Sequence, residues 1–176
     1  MYKRILVPLD GSKVAEGVLP QVCELASALR AEVVLLRVAP TADSLLGNGV
    51  VVGNRATTLE GQMQRSALGY LDRVKAGLGA VGAGVSCVAV SGPVAETIAE
   101  WAAANQVDLI ALTSHGLGHA ARWVFGSVAD RLLQASKAPV LVVRASTELL
   151  QAQEEQEEAE MDAALLQALA PGAQTT

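Results

Sequence analysis

The segment over residues 112–133, "LTSHGLGHAARWVFGSVADRLL", combines three glycines, two histidines and a Gly-Ser pair that leads into an amphipathic run. Glycine allows backbone N–H groups to approach phosphate oxygens closely. A helix beginning near Ser127 would add its unsatisfied N–H groups and its dipole, and the Ser127 hydroxyl would donate a hydrogen bond. The segment therefore predicts a phosphate-binding loop. The alternative is a glycine-rich turn in which Ser127 only caps a helix, and both roles are compatible at Gly126 and Ser127.

An acidic residue, Asp10, ends the first apolar run, "RILVPLD", and is a candidate ligand for both ribose hydroxyls of a nucleotide. The second apolar run ends near Val38, whose backbone groups are candidates to contact a base edge. In an open doubly wound sheet, ligands bind beyond the carboxyl ends of the strands where the strand order reverses. We therefore expect Asp10 to lie beside residues 112–133. The alternative role for Asp10 is to cap the first helix.

Two better-known nucleotide-binding motifs do not fit the chain. GxxxxGK[ST] is absent, which excludes a Walker-type loop. The hexapeptide GLGHAA, from Gly116, matches GxGxxA, but it follows the fourth predicted strand, opens no clear helix and has no acidic residue about 20 positions later. The chain also lacks the groups that efficient phosphoryl transfer usually requires, because neither a P-loop lysine nor an acidic pair for Mg²⁺ adjoins residues 112–133.

The other polar and aromatic residues of the segment divide between site and packing roles. His115 is a candidate hydrogen-bond donor near phosphate, whereas we expect His119 to be an exposed loop residue. Arg122 is the cation of the loop and a candidate partner for a γ-phosphate. We expect residues 123–125 (Trp-Val-Phe) to pack in the core or an interface, and Trp101 to pack on its helix.

Five apolar runs alternate with four amphipathic runs in the order βαβαβαβαβ. Near-continuous apolar strands are typical of parallel sheets that are covered by helices. We expect an α/β fold with a five-stranded, parallel, doubly wound (Rossmann-like) sheet in the order 3-2-1-4-5 and helices on both faces. The predicted strands cover residues 4–10, 31–40, 84–91, 107–114 and 138–144, and the predicted helices cover 13–30, 59–81, 93–106 and 127–136.

Two stretches interrupt this regular pattern. Pro20 lies inside the first predicted helix, so we expect a kink there or an irregular first turn. Residues 40–58 are rich in Gly, Asn and Thr and have no firm period. A loop of this length in a compact domain is either disordered or a functional lid.

Composition bounds the class of protein. The chain has 176 residues, of which 51% are hydrophobic, and no apolar run reaches the roughly 20 residues that span a bilayer. The first apolar run is too short for a signal peptide, so we expect a soluble, cytoplasmic protein without a membrane partner. Cys23 and Cys87 show no CxxC spacing, and we expect both to be small buried groups in a reducing compartment.

The net charge of −5 arises from the end of the chain. After Arg144 there are seven acidic residues and no Lys or Arg, so residues 1–144 carry 13 basic and 11 acidic groups. The body has no basic stripe, which argues against nucleic-acid binding. We expect residues 1–145 to form the nucleotide-binding domain and residues 146–176 an acidic tail, helical or partly disordered. The alternative for the tail is docking on a neighbouring subunit or a protein partner.

Three segments together resemble the universal stress protein family, from residue 1 to about residue 144. They are "ILVPLDGS" near the start, "DLIALTSHG" at the fourth strand and "GSVADRLLQASKAPVLVV" at the end. ATP-binding members of the family carry G-x2-G-x9-G-[ST]. Gly116, Gly126 and Ser127 fit this pattern, and Thr113 stands at the position of its first glycine. The resemblance implies an α/β domain that binds ATP or AMP and forms homodimers, often through the last strand.

The resemblance also implies roles for individual residues. Asp10 would hold the ribose, and Mg²⁺ would be held mainly by the phosphates. The Thr113 side chain would either narrow the approach to phosphate or donate a hydrogen bond through its hydroxyl. The residues implied to frame the adenine are Pro8, Leu9 and Val38, and those implied to surround the phosphates are Thr113, Ser114, His115, Gly116, Gly126, Ser127 and Val128.

The expected function is regulatory: the protein would sense or buffer ATP or AMP under stress. Two alternatives remain open. One is a slow ATPase or nucleotide-activating enzyme on the same fold. The other is a dimeric interaction module that binds no nucleotide. This alternative remains because Thr113 replaces the first glycine of the family's phosphate motif.

Overall fold

The computed structural model describes residues 2–41, 54–114 and 126–151, together with 155, 159 and 161. The chain alternates strands and helices, with two helices in the first connection. In chain order the elements are β1 (Arg4–Pro8), α1 (Lys13–Glu16), α2 (Leu19–Leu29), β2 (Glu32–Ala39), α3 (Asn54–Leu78), β3 (Gly84–Ser91), α4 (Val94–Ala104), β4 (Leu109–Ser114), α5 (Ser127–Ala135) and β5 (Val140–Arg144).

The sheet has five strands in the order β3-β2-β1-β4-β5, and every pair is parallel. The predicted fold class and strand order are confirmed. The order reverses between β1 and β4, because the chain first moves outward through β2 and β3 and then returns to the other side of β1. Crossovers between parallel strands are right-handed, so the reversal sends the helices to opposite faces of the sheet.

Two apolar clusters, one on each face, enclose the sheet. On one face, Val22 of α2 and Leu71 of α3 pack on the strands, and on the other Ile98 of α4 and Leu132 of α5 do so. Successive strand residues alternate between the clusters, as the two-residue period of a strand requires. Residues 5–7 of β1 are 0% exposed, which identifies β1 as the centre of the core.

The first predicted helix is two helices, which corrects the single run expected over residues 13–30. α1 ends at Glu16, Gly17 and Val18 form a turn, and Val18 caps the second helix. Pro20 lies in the first turn of α2, where its missing N–H would have no intrahelical partner in any case. The proline therefore begins a helix and does not kink one.

The third helix begins earlier than its apolar period indicates. α3 starts at Asn54, so the last residues of the predicted loop at 40–58 are helical. The remainder of that predicted loop, residues 42–53, lies outside the described residues. The early turns have few apolar residues, which is why their sequence carries no helical period.

The start of the tail returns to the body of the domain. Ala145 is buried and its N–H donates to the Ser114 carbonyl at 3.4 Å, just beyond β5. Residues 147–151 are helical, and a Cβ on Gly17 would lie 3.0 Å from Leu149 Cδ1. Leu149 therefore covers the turn between α1 and α2. The boundary at residue 145 stays a prediction, and this contact shows that the first helical turn of the tail packs on the domain.

Cys23 and Cys87 are partly buried, whereas the sequence led us to expect that both would be buried. Cys23 and Cys87 are free thiols of intermediate exposure at the margin of one apolar cluster, and burial raises the pKa of both. A raised pKa leaves the unreactive thiol form dominant at neutral pH. In the described part of the chain no helix combines the length and apolar character needed to cross a membrane.

Candidate nucleotide-binding site

The sheet opens where its strand order reverses. The ladder between β1 and β4 has two register pairs, the last joining Leu6 to Ile110, although β1 continues to Pro8 and β4 to Ser114. In contrast, β1 stays paired to β2 through Pro8. The carboxyl ends of the two central strands therefore border a crevice, which is the position where doubly wound sheets bind ligands.

A tight turn presents Asp10 beside this crevice. Asp10 is exposed, and its Oδ1 accepts a hydrogen bond from the Ser12 N–H at 2.8 Å. Gly11 has φ of +101°, in the region that favours glycine. Ser12 then caps α1, since its Oγ accepts from the Ala15 N–H at 3.0 Å. Ser12, and not Asp10, is thus the N-cap, and the Asp10 carboxylate faces solvent.

The residues implied to frame adenine lie at the same edge of the sheet. Pro8 is half-buried at the end of β1, and the buried Leu9 extends the pairing with β2 by donating its N–H to the Leu36 carbonyl at 2.8 Å. Val38 is half-buried near the end of β2 and packs on the α4 and α5 side of the sheet. The structure places all three within one edge, as the topology requires.

Thr113 has a structural partner inside the fold. Its side chain is 6% exposed, and its hydroxyl donates to the Ala15 carbonyl of α1 at 3.2 Å. Alternation along β4 points Thr113 to the face that carries α1, and Ser114, half-buried, to the other. The Thr113 hydroxyl thus ties β4 to α1 across the open end of the crevice.

The second half of the predicted phosphate loop begins α5. Gly126 is the N-cap residue, and no side chain caps the first N–H groups of this helix. Ser127 is exposed, and Val128 is partly buried against the α4 and α5 cluster. His115 and Gly116 lie outside the described residues, as do the other residues between them and Gly126. The described geometry therefore contains both ends of the loop.

Three residues beside Asp10 were not singled out from the sequence. The Arg37 guanidinium lies over the Tyr70 ring, with 4.8 Å between Cζ and the ring centroid, and the Tyr70 hydroxyl donates to Glu16 Oε1 at 3.1 Å. Arg37 interrupts the apolar run over residues 33–39 directly before Val38, and this exception was the signal available in the sequence. Within the described residues, no group of three or more His, Cys, Asp or Glu is arranged to hold a metal ion.

A doubly wound parallel sheet with an open crevice between its two central strands defines an α/β protein of the Rossmann-like class. The chain belongs to the universal stress protein family, whose family model matches residues 1–144. It is 32% identical over 155 residues to universal stress protein MJ0577 of Methanocaldococcus jannaschii, covering 82% of this chain and 96% of that protein.

Solved structures agree with the fold. The structure of MJ0577 superposes with a TM-score of 0.66 at 30% identity, covering 84% of this chain and 99% of the other. A family protein from Arabidopsis thaliana with AMP bound has a TM-score of 0.55 at 13% identity, covering 83% and 94%. The universal stress protein from Archaeoglobus fulgidus in complex with dAMP has a TM-score of 0.51 at 16% identity, covering 81% and 98%.

We predict that Thr113 is needed for stability through its hydroxyl. Thr113→Val leaves the Ala15 carbonyl without this donor and should lower the free energy of unfolding by about 1–2 kcal/mol in urea titrations. Thr113→Ser keeps the donor and removes one methyl group, so it should retain the larger part of the stability. Unchanged stability in Thr113→Val would show that the hydrogen bond contributes nothing.

Proposed function

We propose that the protein binds an adenine nucleotide, ATP or AMP, at the crevice between β1 and β4 and has a regulatory or sensing role in stress. The observation that carries the proposal is the exposed Asp10 carboxylate at the open end of this crevice, on the edge of the sheet where α5 begins without a side-chain cap. A carboxylate accepts ribose hydroxyls and uncapped helix N–H groups attract phosphate. The family proteins with bound AMP and dAMP support the choice of adenine.

Each end of the site has a proposed role. Asp10 accepts the ribose hydroxyls, and the backbone at Val38 meets the adenine edge with Pro8 and Leu9 beneath it. The phosphates lie over the start of α5, where Ser127 donates its hydroxyl and the backbone of Gly126 allows close approach. The remaining proposed phosphate neighbours are Thr113 and Ser114 through their backbone, His115, Gly116 and Val128. Mg²⁺, when present, is held mainly by the phosphates.

Direct measurement separates this proposal from its alternatives. Purified protein is denatured and the supernatant is analysed for adenine nucleotides. Native protein freed of nucleotide is titrated calorimetrically with ATP and AMP up to millimolar concentration. Release or saturable binding supports the proposal. No release and no binding would leave the interaction module as the better hypothesis, and steady ATP turnover well above background would favour the enzyme.

The ribose role of Asp10 is testable by two substitutions. Asp10→Ala removes a charged acceptor and should weaken ATP binding about tenfold to a hundredfold in calorimetry, because hydrogen bonds to charged groups contribute roughly 1.5–3 kcal/mol. Asp10→Asn keeps an acceptor for the Ser12 N–H but loses the charge, and should give a smaller loss. Glu24→Gln, an exposed carboxylate on α2, is the control, and an equal loss there would refute the assignment.

The phosphate role of Gly126 is testable because its backbone admits any residue. Gly126 has φ of −57° and ψ of 155°, so Gly126→Val introduces no left-handed strain. The added side chain occupies the approach to the first turn of α5 and should weaken ATP binding about tenfold or more while the melting temperature changes little. Gly77→Ala, whose Cβ would meet no atom within 4 Å, is the control. Unchanged affinity in Gly126→Val would remove this loop from the site.

We also infer a homodimer through β5. This strand ends one side of the sheet, and four of its residues, 140–143, are half-buried and apolar although no strand of the chain pairs beyond them among the described residues. An apolar sheet edge of this kind is a ready site for pairing with a second chain. A reducing compartment, the cytoplasm, is proposed for the protein because both of its cysteines are free thiols.

Light scattering coupled to gel filtration tests the dimer. The full chain and a chain truncated after Ala145 should both elute as dimers, since β5 is present in each. A monomeric full chain would contradict the dimer. A dimer that is lost only on truncation would transfer the interface to the tail.

A further inference from the structure

The Arg37 side chain packs directly on the turn that carries Asp10. A Cβ placed on Gly11 would lie 3.0 Å from Arg37 Nη2 and 3.2 Å from Cζ, so the guanidinium rests against the Gly11 backbone. Arg37 belongs to β2, and alternation along the strand points it to the face opposite Val38, where α1 and α3 lie. The residue that follows Asp10 is therefore held from one side by a cation on the neighbouring strand.

Tyr70 of α3 supports this cation from beneath. The Arg37 guanidinium lies over the ring, 4.8 Å from its centroid, in the geometry of a cation–π contact. Tyr70 is 9% exposed, and burial, followed by the Glu16 carboxylate, raises the pKa of its phenol well above the usual range. The phenol keeps its proton at neutral pH, so it donates to Glu16 Oε1 at 3.1 Å.

Glu16 connects Tyr70 to the turn that carries Asp10. Its Oε2 accepts from Lys13 Nζ at 2.7 Å, and its backbone N–H donates to the Ser12 carbonyl at 3.3 Å. Ser12 in turn donates its N–H to Asp10 Oδ1 at 2.8 Å. A continuous set of contacts thus leads from Asp10 through α1, α3 and β2 to Gly11, the residue next to Asp10. We call Arg37, Tyr70 and Glu16 the Arg37 brace.

The brace also balances charge at this point. The Asp10 and Glu16 carboxylates both act on the Tyr70 phenol as negative charges, and Arg37 acts on it as the opposing cation. The positive charge of Arg37 therefore opposes the two negative charges that act on this phenol. Removing Arg37 would leave these negative charges without the opposing cation and would remove the side chain that rests against the backbone of Gly11, next to Asp10.

We propose that Arg37 and Tyr70 are positioning residues that hold Asp10 for recognition of free ribose hydroxyls, and so make the site select ribonucleotides over ligands without those hydroxyls. This inference rests on the proposed function. A residue that acts only through Asp10 affects the affinity for ligands whose hydroxyls Asp10 accepts, and leaves the affinity for others nearly unchanged. Orientation of a ligand-binding group by a supporting contact is a general requirement of such sites.

The test compares ATP with 2′,3′-dideoxy-ATP by calorimetry in wild type, Arg37→Met and Tyr70→Phe. Wild type should prefer ATP by about tenfold or more, the gain expected for hydrogen bonds to a carboxylate. Arg37→Met should reduce this ratio to within about threefold with little change in dideoxy-ATP affinity. Tyr70→Phe keeps the ring under Arg37 but loses the donor to Glu16, so the ratio should fall part of the way. Arg73→Met, an exposed arginine on α3, is the matched control.

The outcomes separate this inference from the proposed function. An unchanged ratio in both variants, or equal losses for both ligands, overturns the brace while nucleotide binding by the wild type stands. A wild type that binds both ligands equally removes the ribose role of Asp10 and the brace together. A wild type that binds neither refutes the proposed function, and the brace with it. Tyr70→Phe, which deletes one hydroxyl, decides the matter should Arg37→Met fail to fold.

Discussion

The pairing of β1 with β4 is the constraint on which the rest of the molecule depends. Residues 5–7 of β1 are completely buried, and the two strands that flank β1 are β2, the next strand in the chain, and β4, which follows two crossovers later. The reversal places α2 and α3 on one face of the sheet and α4 and α5 on the other, and the carboxyl ends of β1 and β4 lie at this switch point. The ladder also stops at Leu6 and Ile110, before either strand ends. The crevice therefore follows from the topology of the sheet, and the candidate site residues lie around it.

The fold followed from the sequence because its strands are almost uninterrupted apolar runs. Such runs are typical of strands buried on both faces, and a parallel sheet between helices provides that environment. Helix boundaries were less predictable. The split between α1 and α2 occurs at Gly17 and Val18, within a run whose apolar spacing continues through the turn. The first residues of α3, 54–58, include few apolar types, so no period marks them in the sequence.

The candidate site was predictable to the extent that it lies on strand ends. Asp10 directly follows one apolar run and Val38 lies near the end of the next strand, and parallel strands bring their carboxyl ends to one edge. The Arg37 brace was not predictable in this way, because Tyr70 lies in the middle of a helix and meets Arg37 only through the packing of α3 on β2. A contact between two elements that are far apart in the sequence produces no regular spacing of residues along the chain. Only a charged residue inside an apolar strand indicated that something unusual occupies this position.

Thr113, which stands where the family's phosphate motif has its first glycine, has a structural role inside the fold. Where the β1–β4 ladder has ended, the Thr113 hydroxyl donates to the Ala15 carbonyl. It thereby joins β4, which leads to the proposed phosphate loop, to α1, which follows the Asp10 turn. The side chain lies in the buried face beneath α1, and the backbone of the strand end stays at the crevice. A glycine at this position would leave β4 and α1 without this hydrogen bond. Compared with glycine, Thr113 leaves less room at the end of β4 but connects the proposed ribose and phosphate ends of the site through its hydrogen bond.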